Sequence, residues 1–150
     1  MRKIMHIKEA RMKFSEKVRA LRTQKNLTQK ECAEAIGVTI RTFKSYEVDG
    51  RYPRKRELYQ KLAELFGVDT NYLLTEDEEF VTEASEQYGS RGMKQAEALL
   101  AEMSGLFAGG ELTESDRDAI MIAMQKMYFE CKKENKKYTP KKYRKDEENK

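Results

Sequence analysis

A chain of 150 residues has room for one compact domain, or for a small domain with an appendage. Charged residues make up 37% of it and there is no Trp, and no apolar run approaches the roughly 18 residues of a membrane-spanning helix, so a membrane protein is excluded. Cys32, Cys131 and the single His6 cannot assemble a four-ligand zinc site; no metal or cofactor is expected, and both thiols read as buried and reduced.

No stretch alternates polar and apolar residues over a useful length. Nearly every apolar cluster repeats at three and four residues, so the chain reads as all-α. Residues 1–11 form a basic N-terminal extension without the apolar core or small-residue cleavage site of a secretory signal, and the protein is expected to stay in the cytoplasm. The stretch Lys8-Glu9-Ala10-Arg11-Met12 can be encoded by codons containing a bacterial ribosome-binding sequence, which makes Met12 a candidate natural start. A first helix is predicted over 15–25, with Phe14, Val18 and Leu21 on its buried side, and Asn26 and Leu27 interrupt it.

Thr28 is followed three residues later by Glu31. In that capping-box pattern each side chain satisfies the other's orphan backbone N–H, so a second helix should start at Thr28. It proceeds through Cys32, Ala33 and Ile36 to Gly37, a residue that tolerates the left-handed conformation ending a helix. After the short turn Gly37-Val38, a third helix over 39–47 should turn Phe43 and Tyr46 inward and leave Ile40, Arg41, Lys44 and Ser45 outside, with Asp49 and Gly50 ending it. Pro53 suits the start of a fourth helix, where its missing N–H costs nothing; Leu58, Leu62, Leu65 and Phe66 form its stripe and Gly67 closes it. Asp69 caps a short fifth helix through Asn71, Tyr72, Leu73 and Leu74.

The run Glu76 to Glu79 breaks the apolar pattern and places a domain boundary there, with 76–92 as an acidic linker containing a turn near Gly89, Ser90 and Gly92. Met93, Ala96, Leu100, Met103 and Phe107, with Leu99 and Leu106 beside them, give a sixth helix a broad apolar face that ends at Gly109-Gly110. Thr113 caps a seventh, in which Glu114 and Asp116 complement the helix dipole and Ile120, Met124, Met127 and Cys131 recur at helical spacing. Beyond Lys132 the chain turns Lys-rich and polar, and 138–150 reads as a basic tail.

Charge follows this division. Residues 1–11 hold 4 basic and 1 acidic group, 12–75 hold 13 and 8, 76–131 hold 4 and 13, and 132–150 hold 9 and 4, leaving +4 overall. A polyanion partner suits the basic segments, and the acidic one has a different job or is a solvated linker.

Two short helices joined by a tight Gly turn can present the second of them to the major groove of B-DNA, which admits one helix. The crossing needs a small residue, met by Ala33, and an apolar residue after the turn, met by Val38. Here the chain resembles the phage-repressor, Xre-like (Cro-type) helix-turn-helix family, through Leu27-Thr28-Gln29, Cys32-Ala33, Ile36-Gly37-Val38, Tyr46-Glu47, Gly50, Pro53, Leu62-Ala63, Phe66-Gly67-Val68 and Tyr72-Leu73-Leu74. The match covers residues 14–74, and Phe43 and Cys32 depart from it in side-chain volume only.

The resemblance implies a five-helix DNA-binding domain over 12–75, a dimer on a palindromic double-stranded operator, and regulation of transcription, most simply repression. Carried residue by residue, it implies base reading by Ile40, Arg41, Lys44 and Ser45, and backbone contacts from Thr28, Gln29, Thr42, Arg51 and Arg54. Arg41 is the candidate for bidentate contact with guanine, and Ile40 for contact with a thymine methyl. The competing reading of each cation, and of Lys55 and Arg56, is a solvated surface charge. Residues 93–137 are expected to be the dimerisation region, since a two-helix appendage cannot bury both apolar faces within itself.

Two rivals share the DNA-binding domain: an antitoxin that also holds a toxin through 76–150, and a repressor relieved by a separate metallopeptidase antirepressor. The Ala108-Gly109 peptide resembles a self-cleavage site, but the forty or so residues after it cannot build a catalytic domain. The tail from Lys136 to Arg144 interleaves aromatic and basic residues, which fits either phosphate contacts or a solubilising tail. An enzyme is not expected, since no acid-base pair or Gly-rich phosphate loop stands in a recognisable frame.

Overall fold

The computed structural model describes residues 12–138. The N-terminal extension, with its bearing on the start codon, and residues 139–150 of the basic tail lie outside the described residues. Among those described, the regular structure is entirely helical: α1 (Phe14–Gln24), α2 (Gln29–Ile36), α3 (Ile40–Val48), α4 (Arg56–Phe66), α5 (Thr70–Leu73), α6 (Glu76–Phe107) and α7 (Glu114–Tyr138). The chain divides into two compact units, one ending at Leu100 and the other beginning at Ala101.

The first unit is built on local signals that the sequence carries openly. Asn26, with φ 55°, turns the chain between α1 and α2; asparagine is among the few residues that enter this left-handed region readily. Thr28 accepts a hydrogen bond from the Glu31 N–H at 3.0 Å, and Glu31 accepts one from the Thr28 N–H at 3.0 Å. Gly37 then ends α2 at φ 78°, ψ 32°.

The core gathers Phe14, Val18 and Leu21 of α1, Cys32, Ala33 and Ile36 of α2, Phe43 and Tyr46 of α3, Tyr59, Leu62, Ala63 and Phe66 of α4, and Leu73 of α5. Phe14 is at its centre, stacked on Tyr52 at 5.7 Å and edge-on to Tyr59 at 5.5 Å and Tyr46 at 6.1 Å between ring centroids. Such pairs add specific geometry to the burial of large apolar area.

Several expectations need correction. Pro53 is not at the start of α4, which begins at Arg56; it is buried in the preceding loop. The buried stripe of α4 is Tyr59, Leu62, Ala63 and Phe66, while Leu58 and Leu65 are only half-buried. Cys32 is fully buried, and burial pushes its thiol up to about 11, but Cys131 is exposed. Its position in the helical repeat did not put it on a covered face. The Lys-rich stretch after Lys132 continues α7 to Tyr138.

The largest difference lies in residues 76–92, read as an acidic linker. They are helical, and they bury Glu78, Phe80, Val81, Thr82, Ala84 and Gly92. The acidic run belongs at the start of a helix, where carboxylates complement the dipole. Thr75 donates to Glu78 Oε1 from its N–H at 3.1 Å and its hydroxyl at 2.6 Å, closing the first turn. The predicted turn survives as a break inside α6 at Gly89, with φ 69° and ψ −157°. Beyond it the chain comes back so closely that a Cβ on Gly92 would lie 2.6 Å from the Ala84 carbonyl oxygen.

In the second unit α7 starts as expected. The Asp116 N–H donates to Thr113 Oγ1 at 3.1 Å. Along α7, Arg117, Ile120, Met121, Met124, Gln125, Tyr128, Phe129 and Lys132 are half-buried, and no described residue of α7 is fully buried. Ile122 and Met127 remain more than half exposed.

Candidate nucleic-acid interface

The turn between α2 and α3 sets the angle at which α3 leaves the domain. Gly37 takes the left-handed conformation, the Val38 N–H returns to the Ala33 carbonyl at 3.0 Å, and Thr39 caps α3 by accepting the Thr42 N–H at 3.0 Å. One face of α3 is then committed to the core through Phe43, Tyr46 and Glu47. The opposite face carries Ile40, which is 46% exposed, with Arg41 and Lys44 exposed beside it and Val48 at the far end. These positions at one and four residues form a single outward stripe.

Of the predicted reading residues, Ile40, Arg41 and Lys44 therefore stand together and open to solvent. Ser45 lies at the edge of the stripe, half-buried, its hydroxyl donating to the Thr42 carbonyl at 2.6 Å. Thr42 is also half-buried, and its Oγ1 accepts from the Thr39 hydroxyl at 2.9 Å. Thr28 is exposed and Gln29 half-buried at the N-terminus of α2, where unpaired backbone N–H groups and the helix dipole favour an anion.

Past α3, Arg51 and Arg54 behave differently. Arg54 is exposed on the rim of a groove of about 550 Å³ that it shares with Arg51, Lys55 and Lys61. The Nε of Arg51 donates to both carboxylate oxygens of Glu97 on α6, at 3.1 and 2.9 Å. Arg56 pairs with Glu86 at 3.0 Å and also with Glu79.

Sequence reasoning missed the anchor of α3. Glu47 is buried and accepts from Arg22 Nε at 2.7 Å and Nη2 at 3.1 Å, with Arg19 Nε at 3.4 Å. Arg22 also donates through Nη1 to the Leu27 carbonyl at 2.9 Å. One arginine thus ties α1, the loop before α2 and the end of α3 together, through charge-assisted bonds that are shorter and stronger than neutral ones. Lys17, likewise missed, is buried with its Nζ donating to the Tyr72 carbonyl at 2.9 Å. Neither had a local signal, because each partner is far away in sequence.

A capped second helix, a left-handed glycine turn and a third helix with one face buried and a cationic face outward define a helix-turn-helix DNA-binding domain. Residues 15–79 match the family model described as "Helix-turn-helix domain". The immunity repressor protein of Bacillus phage phi105 is 27% identical over 145 residues, covering 91% of this chain and 99% of that protein. The cryptic phage CTXphi transcriptional repressor RstR of Vibrio cholerae is 39% identical over 70 residues, 47% of this chain and 62% of the repressor. An SPbeta prophage-derived HTH-type transcriptional regulator of Bacillus subtilis is 25% identical over 119 residues, 78% of this chain and 97% of that regulator. No solved structure matches the chain. Residues 15–79 are thus a helix-turn-helix domain, and the chain is similar to phage and prophage-derived transcriptional repressors and regulators. No helix among the described residues is long and apolar enough to cross a membrane.

Proposed function

We propose that this regulator is a dimeric repressor that docks α3 in the major groove of a two-fold-symmetric operator. The observation that carries this reading is the exposed stripe Ile40, Arg41 and Lys44 on a helix whose other face is locked into the core. Arg41 is the direct reader. Its guanidinium can hold O6 and N7 of one guanine, while Ile40 offers only apolar contact and Lys44 a flexible point charge. Ser45 reads from the edge of the stripe. Thr28, Gln29, Thr42 and Arg54 contact phosphate on either side, which positions the helix without carrying sequence information.

Two reading helices must lie about one DNA turn, roughly 34 Å, apart to meet both half-sites. Residues 93–137 hold the pair together in this proposal. The supporting feature is the helical stripe of α7, half-buried at Ile120, Met121, Met124, Tyr128 and Phe129 and nowhere fully covered. The relatives' roles as immunity or transcriptional repressors support repression as the outcome of binding.

Selection of bound fragments from random DNA should return an inverted repeat. Arg41→Ala should cost about 1–3 kcal/mol of affinity and relax the preference at one base pair per half-site. An unchanged motif with Arg41→Ala would remove Arg41 from the reading set, and a motif lacking two-fold symmetry would remove the dimer.

A further inference from the structure

We propose that Glu97, on α6, is a positioning residue of the DNA interface: it fixes Arg51 and the backbone at Tyr52 so that the outer edge of the Arg51 guanidinium meets a phosphate beside the reading helix. This rests on the proposed placement of the loop after α3 along the DNA backbone, and it assigns a DNA-binding task to a helix outside the five-helix domain.

Four observations converge. Glu97 Oε2 accepts from Arg51 Nε at 2.9 Å and from the Tyr52 backbone N–H at 3.0 Å, so it holds the path of the loop as well as a side chain. The Arg51 N–H in turn donates to the Ser45 carbonyl at 3.2 Å, which joins the clamped loop to the end of the reading helix. The carboxylate lies inside and the cation outside: the Glu97 side chain is 11% exposed and that of Arg51 is 41%. Finally, Glu97 engages only Nε, and among the described residues Arg51 Nη1 and Nη2 carry no hydrogen bond.

A phosphate arriving from solvent therefore meets two guanidinium nitrogens whose orientation is already set, with the carboxylate behind them. Arginine suits this role because its planar fork can bond one anion through Nε and another through the Nη edge. Prior fixation removes the rotamer entropy that a long side chain otherwise loses on binding. Arg56, whose pairing to Glu79 and Glu86 lies on side chains about 40–50% exposed, lacks the backbone clamp and the inward carboxylate.

The opposite possibility is that Glu97 sequesters Arg51 from DNA, and a double-mutant cycle separates the two. Operator affinity and its salt dependence are measured for the full chain carrying Arg51→Ala, Glu97→Ala, both, and Glu97→Gln. Positioning requires that Arg51→Ala weaken binding about tenfold in the wild-type background and flatten the salt slope by about one phosphate contact. The same substitution should change affinity less than threefold once Glu97 is Ala. Glu97→Gln, which keeps an acceptor for the loop, should retain most of the Arg51 effect. Arg51→Ala silent in the wild type but damaging beside Glu97→Ala would show sequestration, and silence in both backgrounds would show that Arg51 does not meet DNA; either result overturns the proposal. Arg41→Ala measured alongside keeps the outcomes apart, since loss of binding there with no Arg51 effect leaves the reading helix standing while Glu97 loses its role.

Discussion

The two units of this chain are both helical, yet they are stabilised in different degrees by their own residues. The first, described from Met12 to Leu100, buries thirteen apolar and aromatic side chains in one core and adds Phe80, Val81, Ala84, Met93, Ala96 and Leu100 from α6. The second has an equally clear apolar repeat along α7 but no fully buried residue among those described. A helix held by a packed core can turn its other face to solvent in a defined orientation, which is what a reading helix requires. A helix with only half-covered apolar side chains has surface left to bury, which is what pairing requires. Recognition falls to the first unit, which carries the helix-turn-helix domain, and association is the task proposed for the second.

Truncations in the first core should produce the largest effects. Phe43→Ala removes a fully buried ring beneath the reading stripe and should cost about 3–5 kcal/mol in denaturant unfolding, with operator binding lost in step. Gly92→Ala tests whether α6 belongs to that same cooperative structure. Its added methyl would lie 2.6 Å from a backbone carbonyl that cannot move aside cheaply, and a loss of about 1–3 kcal/mol is expected. No change in the unfolding midpoint would return residues 76–92 to the status of a linker.

A smaller effect should follow pH. Burial raises the Glu78 carboxyl above its ordinary 4.5, against the opposing hydrogen bonds from Thr75. A raised carboxyl favours folding while protonated, so its contribution is complete below pH 4.5 and is lost as pH climbs through the folded value. Glu78→Gln should flatten that part of the stability profile without lowering stability at neutral pH, and an unchanged profile would clear Glu78 as its source.

The smallest effect on the first unit, and the one that most sharpens the contrast, should come from α7. Met124→Asp is expected to leave the unfolding of the reading unit within about 0.5 kcal/mol of wild type. It should nonetheless shift the sedimenting species from dimer to monomer and weaken operator binding. A monomeric wild type would break the comparison outright.

Much of the candidate interface was legible in the sequence. The bounds of α2 and α3 to within a residue, the cap at Thr28, the turn at Gly37 and the outward placement of Ile40, Arg41 and Lys44 all follow from patterns spanning four residues or fewer; that Thr39 caps α3 instead of opening it came only from the structure. The misreadings had longer-range causes. Pro53 looked like a helix start because its ring suits that position, but packing put it into the loop. The run Glu76 to Glu79 looked like a break because charge interrupts an apolar stripe, although at a helix N-terminus the same charge is favourable. Tyr59 was passed over for Leu58 because a tyrosine and a leucine one position apart give the same periodic signal within the error of the stripe.

What the amino-acid order determined by itself is a set of local decisions: where α2 and α3 begin and end to within a residue, which face of α3 is apolar, and that Arg41 and Lys44 are left outside. Those rest on hydrogen bonds and steric preferences between near neighbours, and near neighbours are visible in a string of letters. Only the tertiary structure decided that Glu47 would anchor Arg22 across 25 positions, that Glu97 would clamp Arg51 across 46, and that Lys17 would reach the Tyr72 carbonyl across 55. A buried polar or ionisable group needs a charged or hydrogen-bonding partner, and which of the chain's many such groups becomes that partner is settled by packing.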